Sequence, residues 1–470
     1  MKKTACCAVF NGHQAGFVNR VQFEEKMQKR GMLQHDLNSS SEYGTPDRWW
    51  ILVFVALDYF ILYLHRNLIN YIQPPLKAEL QLDDVQLPML QTAFIIAYCL
   101  SQLFVGYLGD RFTRRNILIF SLLGSVLSLA GTSLVSGYAE LVAMRVILGI
   151  SQAASVPAIG GIIGDTFTAR NRSTAVGVYL CSQQCGLMIA ARYGGRMADV
   201  ENWHIPLSRF GMVDVEFSGW RMAMLMFALL GSVVVVAVML WLREPARTDR
   251  HKGRGLGTQG GSIVRTTLSV LRVPSYLMLL LIFVLAGMIN NTREFWLARF
   301  FHDQYGMTNE DAGTLATFYV QPSTMIGLLV GGVLADALAR RWRSGRSLIS
   351  MTGILLWVPA YLVLGSGADD AILKGALMTL GLGYAFYAGN LWTTTFEVVD
   401  PAARSTALAW LNVGSIAASS MSPTIGYLVK AGTIAMYQTW LLLSLIAFVA
   451  ALLFVVHILY SLPRDYREPL

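Results

Sequence analysis

Apolar residues fall along this chain in runs of about 20, divided by short polar stretches, from Trp49 to Leu462. A run of that length is what a helix needs to cross the hydrocarbon core of a bilayer. Twelve runs can be drawn, centred near Phe60, Cys99, Val126, Ser151, Gln184, Leu230, Gly287, Met325, Leu356, Phe386, Ala417 and Phe448. In lipid only helices and closed barrels satisfy their own backbone, and these runs are too long and too continuous for barrel strands. The pattern predicts an all-α integral membrane protein with twelve transmembrane helices. Pro463 follows the last run and helps to end it.

The polar stretches set the organisation. Residues 1–47 read as a cytoplasmic polar tail. Lys2 and Lys3 precede an apolar stretch that is too short for a signal peptide and is broken by Asn11 and His13. The longest internal hydrophilic segment, 243–273, holds seven basic residues from Arg243 to Arg272 and includes Gly253, Gly255, Gly257, Gly260 and Gly261, the composition of a flexible cytoplasmic linker. It separates six runs in 48–242 from six in 274–462, leaving 463–470 as a second cytoplasmic tail. Lys and Arg crowd the loops on the linker's side, at Arg111, Arg114, Arg115, Arg170, Arg172, Arg340, Arg341, Arg343, Arg346 and Arg404. The other loops hold fewer, chiefly Lys77, Arg196, Arg209, Lys374 and Lys430. The positive-inside rule then puts both termini in the cytoplasm.

Composition narrows the classes further. Of 470 residues, 54% are hydrophobic and 14% charged, with a mean hydropathy of +0.48. Soluble domains carry roughly 25% charged residues. A soluble enzyme, a disordered scaffold and a secreted disulfide domain are thereby excluded. The net charge of +8 suits a nucleic-acid binder, but its confinement to short loops is the signature of topology. Cys6, Cys7, Cys99, Cys181 and Cys185 are odd in number and show neither a disulfide framework nor zinc spacing. No cofactor, metal or nucleic acid is expected. The bilayer, a small-molecule or lipid-like substrate and protons are, with the chain acting as a monomer.

The two halves repeat each other. Gly106-Tyr-Leu-Gly-Asp110-Arg111-Phe-Thr-Arg114-Arg115 after the second run matches Gly332-Val-Leu-Ala-Asp336-Ala-Leu-Ala-Arg340-Arg341 after the eighth. Asp165 stands seven residues before Arg172-Ser-Thr-Ala175, and Glu397 seven before Arg404-Ser-Thr-Ala407. Matched loops in corresponding places point to two pseudo-symmetric six-helix bundles, the parallel repeat of a secondary transporter.

These residues resemble the major facilitator superfamily, whose loop signature between the second and third helices is matched by Gly106 to Arg115, with Thr113 at the usual small position. Arg145-Val-Ile-Leu-Gly149 resembles its fourth-helix motif. Leu90-Gln-Thr-Ala-Phe-Ile-Ile-Ala-Tyr98, leading into Gly106, looks like the spinster branch of lipid and lysolipid transporters. Arg404-Ser-Thr-Ala407 also fits that branch. Tyr63-Leu-His-Arg66-Asn67 is also similar to the first-helix motif of organic-anion and organophosphate transporters. The resemblance implies a plasma-membrane transporter working by alternating access. Three departures stand out: His65 where spinster-like proteins carry Asp, Gln152 where they carry Glu, and Ala190-Ala191 where the antiporter motif has Gly-Pro.

An intramembrane charge persists when it is paired, faces water or works, so such groups are the first candidates. For substrate binding they are Arg66, whose planar fork suits a carboxylate or phosphate, with Tyr63, Gln152, Asn290, Tyr387, Asn390 and Asn412. The alternative for Arg66 is a structural pair with a neighbouring acid. For coupling they are Asp58, His65, Arg145 and Glu294. His65 can titrate near neutrality or be a neutral histidine bonded to a neighbouring helix, and Arg145 can pair internally, with Asp58 for example. The gating set is Gly106, Asp110, Arg111, Arg114 and Asp165 in one half, with Gly332, Asp336, Arg340, Glu397 and Arg404 in the other. Arg111 is expected to pair with Asp165. The functional expectation is a secondary or facilitative transporter of a small organic anion or lysolipid-like solute, with proton coupling as one of its open modes. The alternative is a non-transporting sensor on the same fold. With no nucleophile, metal cluster or phosphate loop converging, an enzyme is not expected.

Overall fold

The computed structural model describes residues 45–167, 169–205, 215–242, 263–400 and 403–465. Among the described residues, ten helical stretches are long and apolar enough to cross a membrane: Arg48–Tyr71, Arg114–Thr132, Tyr138–Thr166, Thr174–Ala198, Gly219–Trp241, Pro274–Tyr305, Asn309–Ala339, Gly345–Ser366, Asp370–Val398 and Met436–Asp465. Two further helical segments complete the series, Gln86–Arg111 as the second span and Arg404–Ser419 with Met421–Lys430 as the eleventh. Each of the twelve run centres falls inside one of these helices. With an even number of spans, both ends of the helical core lie on one face, the terminal face. The other is the opposite face.

Three spans are broken, and one cause accounts for all of them. The fourth divides between Gln152 and Ser155, the eighth at Tyr319 and the eleventh at Ser420. Pro157, Pro322 and Pro423 follow at the position where a proline ring collides with the carbonyl four residues back and offers it no N–H. The carbonyls concerned belong to Ala153, Phe318 and Ser419. At the eleventh span the freed carbonyl is recovered, since Ser419 O accepts from Thr92 Oγ1 at 3.2 Å. The fifth span instead widens into a π-turn over Ala190–Gly194 where it reaches the opposite face.

Each half packs around its own core. In the first half, Ile51, Val55 and Leu62 of the first span meet Leu118 and Leu122 of the third, Ile159 and Ile162 of the fourth and Val234, Val235 and Val238 of the sixth. The larger cluster in the second half centres on Trp357, Tyr361, Trp440 and Phe454 and extends across the interface to Leu68 and Tyr71. Leu127, Val233, Leu240, Leu329, Val333 and Leu445 are exposed large apolar residues on spans, the surface a protein presents to lipid. A small antiparallel pair, Asn202–Ile205 with Val215–Ser218, covers the opposite face between the fifth and sixth spans.

The halves meet firmly at the opposite face. Gln73 Nε2 donates to Phe295 O at 2.7 Å, Arg299 pairs with Asp84 at 2.7 Å, and Lys430 pairs with Asp83 at 2.8 Å. Asp199, at the end of the fifth span, accepts from Asn309 N and Nδ2 at 2.8 and 2.7 Å and from Glu310 N at 2.8 Å. Deeper in, Thr92 Oγ1 donates to Ser419 O at 3.2 Å. Each of these bonds between the halves lies on this side of the midplane. The molecule is closed there.

Candidate functional site

The first span carries Tyr59, Tyr63 and Arg66 along one side of its helix, and the second carries Phe94 and Tyr98 one turn apart. These two spans bring the rings around the Arg66 guanidinium. Its carbon sits 4.7 Å from the Tyr63 and Phe94 ring centres and 4.9 Å from that of Tyr98. Tyr59 extends the aromatic wall, with its ring 4.7 Å from Tyr63 and 4.3 Å from Tyr179 of the fifth span.

Gln152 holds this box in place. Its carbonyl accepts from Arg66 Nε at 3.2 Å, while its amide donates to Leu62 O and Ser125 Oγ, each at 3.1 Å. A glutamate there could accept from Arg66 but could not donate to Leu62 O, so the amide is the group that fits these contacts. Arg145, 3% exposed, donates from Nη1 to Arg66 O at 3.1 Å. Among the described residues no carboxylate stands within ion-pair distance of Arg66 or Arg145. Among the described residues, then, neither arginine pairs with an acid, and both charges stand without a neutralising carboxylate.

The second half contributes a compact triad on one turn of the seventh span. Asn290 Nδ2 donates to Glu294 Oε1 at 3.0 Å, and Arg293 Nη2 donates to Asn290 Oδ1 at 2.7 Å and reaches Glu294 at 3.5 Å. Arg293 is buried and Glu294 half-buried, and the Tyr384 ring centre lies 6.0 Å from the guanidinium. Tyr384 is in turn within electrostatic range of Tyr63 across the interface. The triad is neutral as a unit, in contrast to the cationic first half.

Other candidates are placed elsewhere. The His65 ring points at the sixth span, donating from Nε2 to Phe227 O at 3.0 Å, with Gly231 directly beneath it. It is fully buried and bonded to a neighbouring helix. Asp58 is also fully buried, and neither of its oxygens has a hydrogen-bond partner in the protein, so it does not pair with Arg145. Tyr387 packs edge-on against Trp357, and Asn390 donates to Phe386 O of its own helix, so both serve the second-half core in this state. Asn412 is half-buried.

The loop candidates form ion pairs inside each half. Asp165, expected to pair with Arg111, accepts from Arg114, and Glu397 accepts from Arg346. Arg346 also reaches Asp336 at 3.0 Å. Gly161 gives Arg114 its path, because a Cβ there would sit 2.5 Å from Nε. Gly332 and Arg340 are exposed. The side chains of Asp110, Arg111 and Arg404, and the surroundings of Gly106, lie outside the described residues.

Several participants escaped the sequence reading. Phe94 and Tyr98 were visible as an i, i+4 aromatic pair inside a quoted motif. Arg346, Asp199 and the Asp83–Asp84 pair carried no local signal, since their roles depend on partners in other spans.

Comparison with known proteins agrees with this architecture. The family model described as Major Facilitator Superfamily matches residues 55–423. The chain belongs to that superfamily. It is a multi-pass membrane transporter and not an enzyme. It is 25% identical over 407 residues to the hexuronate transporter of Escherichia coli (strain K12), covering 81% of this chain and 89% of that one. It is 23% identical over 421 residues to the probable galactarate/D-glucarate transporter of Bacillus subtilis (strain 168), with coverages of 82% and 87%. Protein spinster of Drosophila melanogaster is 22% identical over 377 residues, 77% of this chain and 58% of spinster. Among solved structures, an inward-facing, unoccupied bacterial homolog of the human lysosomal transporter spinster superposes with a TM-score of 0.76 at 19% identity, covering 91% of this chain and all of the other. The match shows a shared fold.

Proposed function

We propose that this transporter carries a small organic anion, of the sugar-acid type, by alternating access. The observation that supports this most directly is Arg66, a buried-side cation at the meeting of the two halves with no acid of the protein beside it. Rings on three sides and Gln152 on Nε hold the guanidinium in place, and its planar fork suits a carboxylate. Across the interface, Asn290, Glu294 and Tyr384 offer acceptors and donors for hydroxyl groups. The relatives named for hexuronate and for galactarate/D-glucarate carry acids of this class.

In this reading the units 48–242 and 274–462 rock about the site, joined by the linker 243–273, and the terminal face is cytoplasmic. The protein works as a monomer in the plasma membrane, and protons drive uptake. Arg145 and Glu294 contribute to coupling by setting the charge on either side of the substrate. The within-half pairs Arg114–Asp165 and Arg346–Glu397 keep each bundle rigid at the cytoplasmic gate, where Gly106, Asp110, Arg111 and Arg404 also belong.

Counterflow in proteoliposomes tests the reading with D-glucuronate, D-glucarate, the neutral hexose and a lysophospholipid. The acids should exchange and the neutral sugar should not. Arg66→Ala should abolish exchange, and Arg66→Lys should recover only part of it, because lysine keeps the charge but loses the fork and the ring stacking. Transport of the lysophospholipid without the acids would overturn the proposal, as would full activity in Arg66→Ala. Binding of an acid with no movement would favour a sensor.

A further inference from the structure

Asp58 has no role in the box around Arg66, and the fold spends effort to bury it. It is 0% exposed, and both oxygens lack a partner in the protein. The third, fourth, fifth and sixth spans surround the first. Their charged and titratable groups are Arg114 and Arg115 at the start of the third, Tyr138, Glu140, Arg145 and Asp165 on the fourth, Tyr179, Cys181, Cys185, Arg192, Tyr193 and Arg196 on the fifth, and Arg221 at the far end of the sixth. On the first span itself stand Arg48, Tyr59, Tyr63, His65, Arg66 and Tyr71. None of the described groups is within ion-pair distance of Asp58. An isolated carboxylate in such a place is tolerated in its neutral, protonated form.

A polar seam leads from this level to Arg66. Gln152 bonds Arg66, Leu62 O and Ser125 in one layer. One turn toward the terminal face, Asp58 on the first span, Ser121 on the third and Ser155 on the fourth share the next layer by register. Ser155 Oγ donates to Ser121 Oγ, and both serines are buried. Hydroxyl and amide groups therefore occupy consecutive layers between the acid and the arginine, inside an otherwise apolar bundle.

We propose that Asp58 is the proton-binding site of this transporter, lying outside the substrate cavity and linked to it through the charge on Arg66. This rests on the organic-anion reading above. When a substrate carboxylate neutralises Arg66, an ionised Asp58 loses its compensating cation, and its affinity for a proton rises. By reciprocity, a proton on Asp58 strengthens anion binding at Arg66. Asp58 and Arg66 are eight residues apart, about 12 Å along the helix axis. At that separation and an effective dielectric of about 20, the linkage amounts to about tenfold. One proton then travels with each carboxylate, and the acid that the family places beside the arginine is replaced by one set two turns deeper. His65 holds the sixth span and takes no proton.

Infrared difference spectroscopy of the full-length protein in liposomes tests the site without any substrate. The native protein at neutral pH should show a protonated-carboxyl band that is missing from Asp58→Asn. In Arg66→Gln, which removes the cation as a bound anion would, the band should persist to a pH about one unit higher, the tenfold linkage in another form. No such band, or a band indifferent to Arg66, overturns the proposal whatever the substrate proves to be. D-glucuronate transport supplies the second arm. Asp58→Asn should retain counterflow, which also shows that it folds, and should lose accumulation driven by a pH gradient. Gradient-driven accumulation by Asp58→Asn equal to native would overturn the proposal. Failure of the native protein to exchange any acid would sink the organic-anion reading while leaving the infrared result to decide the proton site.

Discussion

Asp199, at the end of the fifth span, caps the eighth span at Asn309. Its two oxygens take the backbone N–H groups of Asn309 and Glu310, and Thr308 Oγ1 takes that of Asp311 at 3.0 Å. Three of the four donors that a helix start leaves unpaired are thus satisfied, two of them by a carboxylate from the other half. The carboxylate also faces the positive end of the helix dipole.

Because this cap exists only while the opposite face is closed, Asp199→Ala should shift the conformational balance. A lost cap is worth about 1 kcal/mol, or about a fivefold change in population. Distance distributions between spin labels on the fifth and eighth spans should show the wider separation gaining weight. An unchanged distribution would mean the cap does not contribute to closure.

Two glycines allow the same contact. A Cβ on Gly195 would lie 2.5 Å from Asn309 O, and one on Gly313 would lie 2.8 Å from Ala191 O, on the π-turn of the fifth span. Backbone atoms cannot give way as a flexible side chain would. Gly195→Leu and Gly313→Leu should prop this face open, raising labelling of a cysteine placed at Tyr71 while leaving thermal stability within each half nearly unchanged. Native labelling rates in both variants would rule this out.

Acid should release the latch from the same side. Lys430 holds the Asp83 carboxyl below its usual value of 3.8. Burial alone would raise Asp84, but the pairs with Lys77 and Arg299 outweigh it and hold it below 3.8 as well. Depressed values mean that closure gains from both charges throughout the neutral range and loses that gain as the pH falls through the values in the closed state. The closed population should be flat from neutrality down to about pH 4 and fall below it. With Asp83→Asn and Asp84→Asn combined, the acid-dependent step should disappear.

At the terminal face, Arg346 serves two acids at once. Glu397 is 5% exposed, and its Oε2 already lacks a partner. Arg346→Met strands Glu397 as a buried charge, at a cost of about 3 kcal/mol. Adding Glu397→Gln to Arg346→Met should return most of that stability in a thermal-unfolding assay. If the two substitutions were simply additive, the pair would not act as a unit.

The helices were legible because lipid imposes a length and a polarity that each span satisfies by itself. The breaks before Ser155, at Tyr319 and at Ser420 were legible in principle too, each standing just ahead of a proline. Half of the box was readable: Arg66, Tyr63 and Gln152 could be named from the sequence, and Phe94 and Tyr98 stood one turn apart in a motif already noticed. The repeat was readable but misaligned in one respect. Arg114 spans 51 residues to Asp165, and its structural counterpart is Arg346, which spans 51 to Glu397. Matching loop letters had instead set Arg114 against Arg340, because six extra residues separate the acid from the arginine in the second half.

Sequence alone determined the membrane setting, the twelve helices, the duplicated plan and the presence of charges that lipid would not tolerate without a reason. It did so because hydropathy, prolines and loop motifs act within one helix or one loop. Tertiary structure alone decided that His65 turns to the sixth span, that Asp58 is left without a partner, that Gln152 serves three neighbours and that Asp199 seals one half to the other. Each of those depends on which side chains face one another across helices distant in sequence, and a helix's own pattern says which face is polar without saying what stands opposite it.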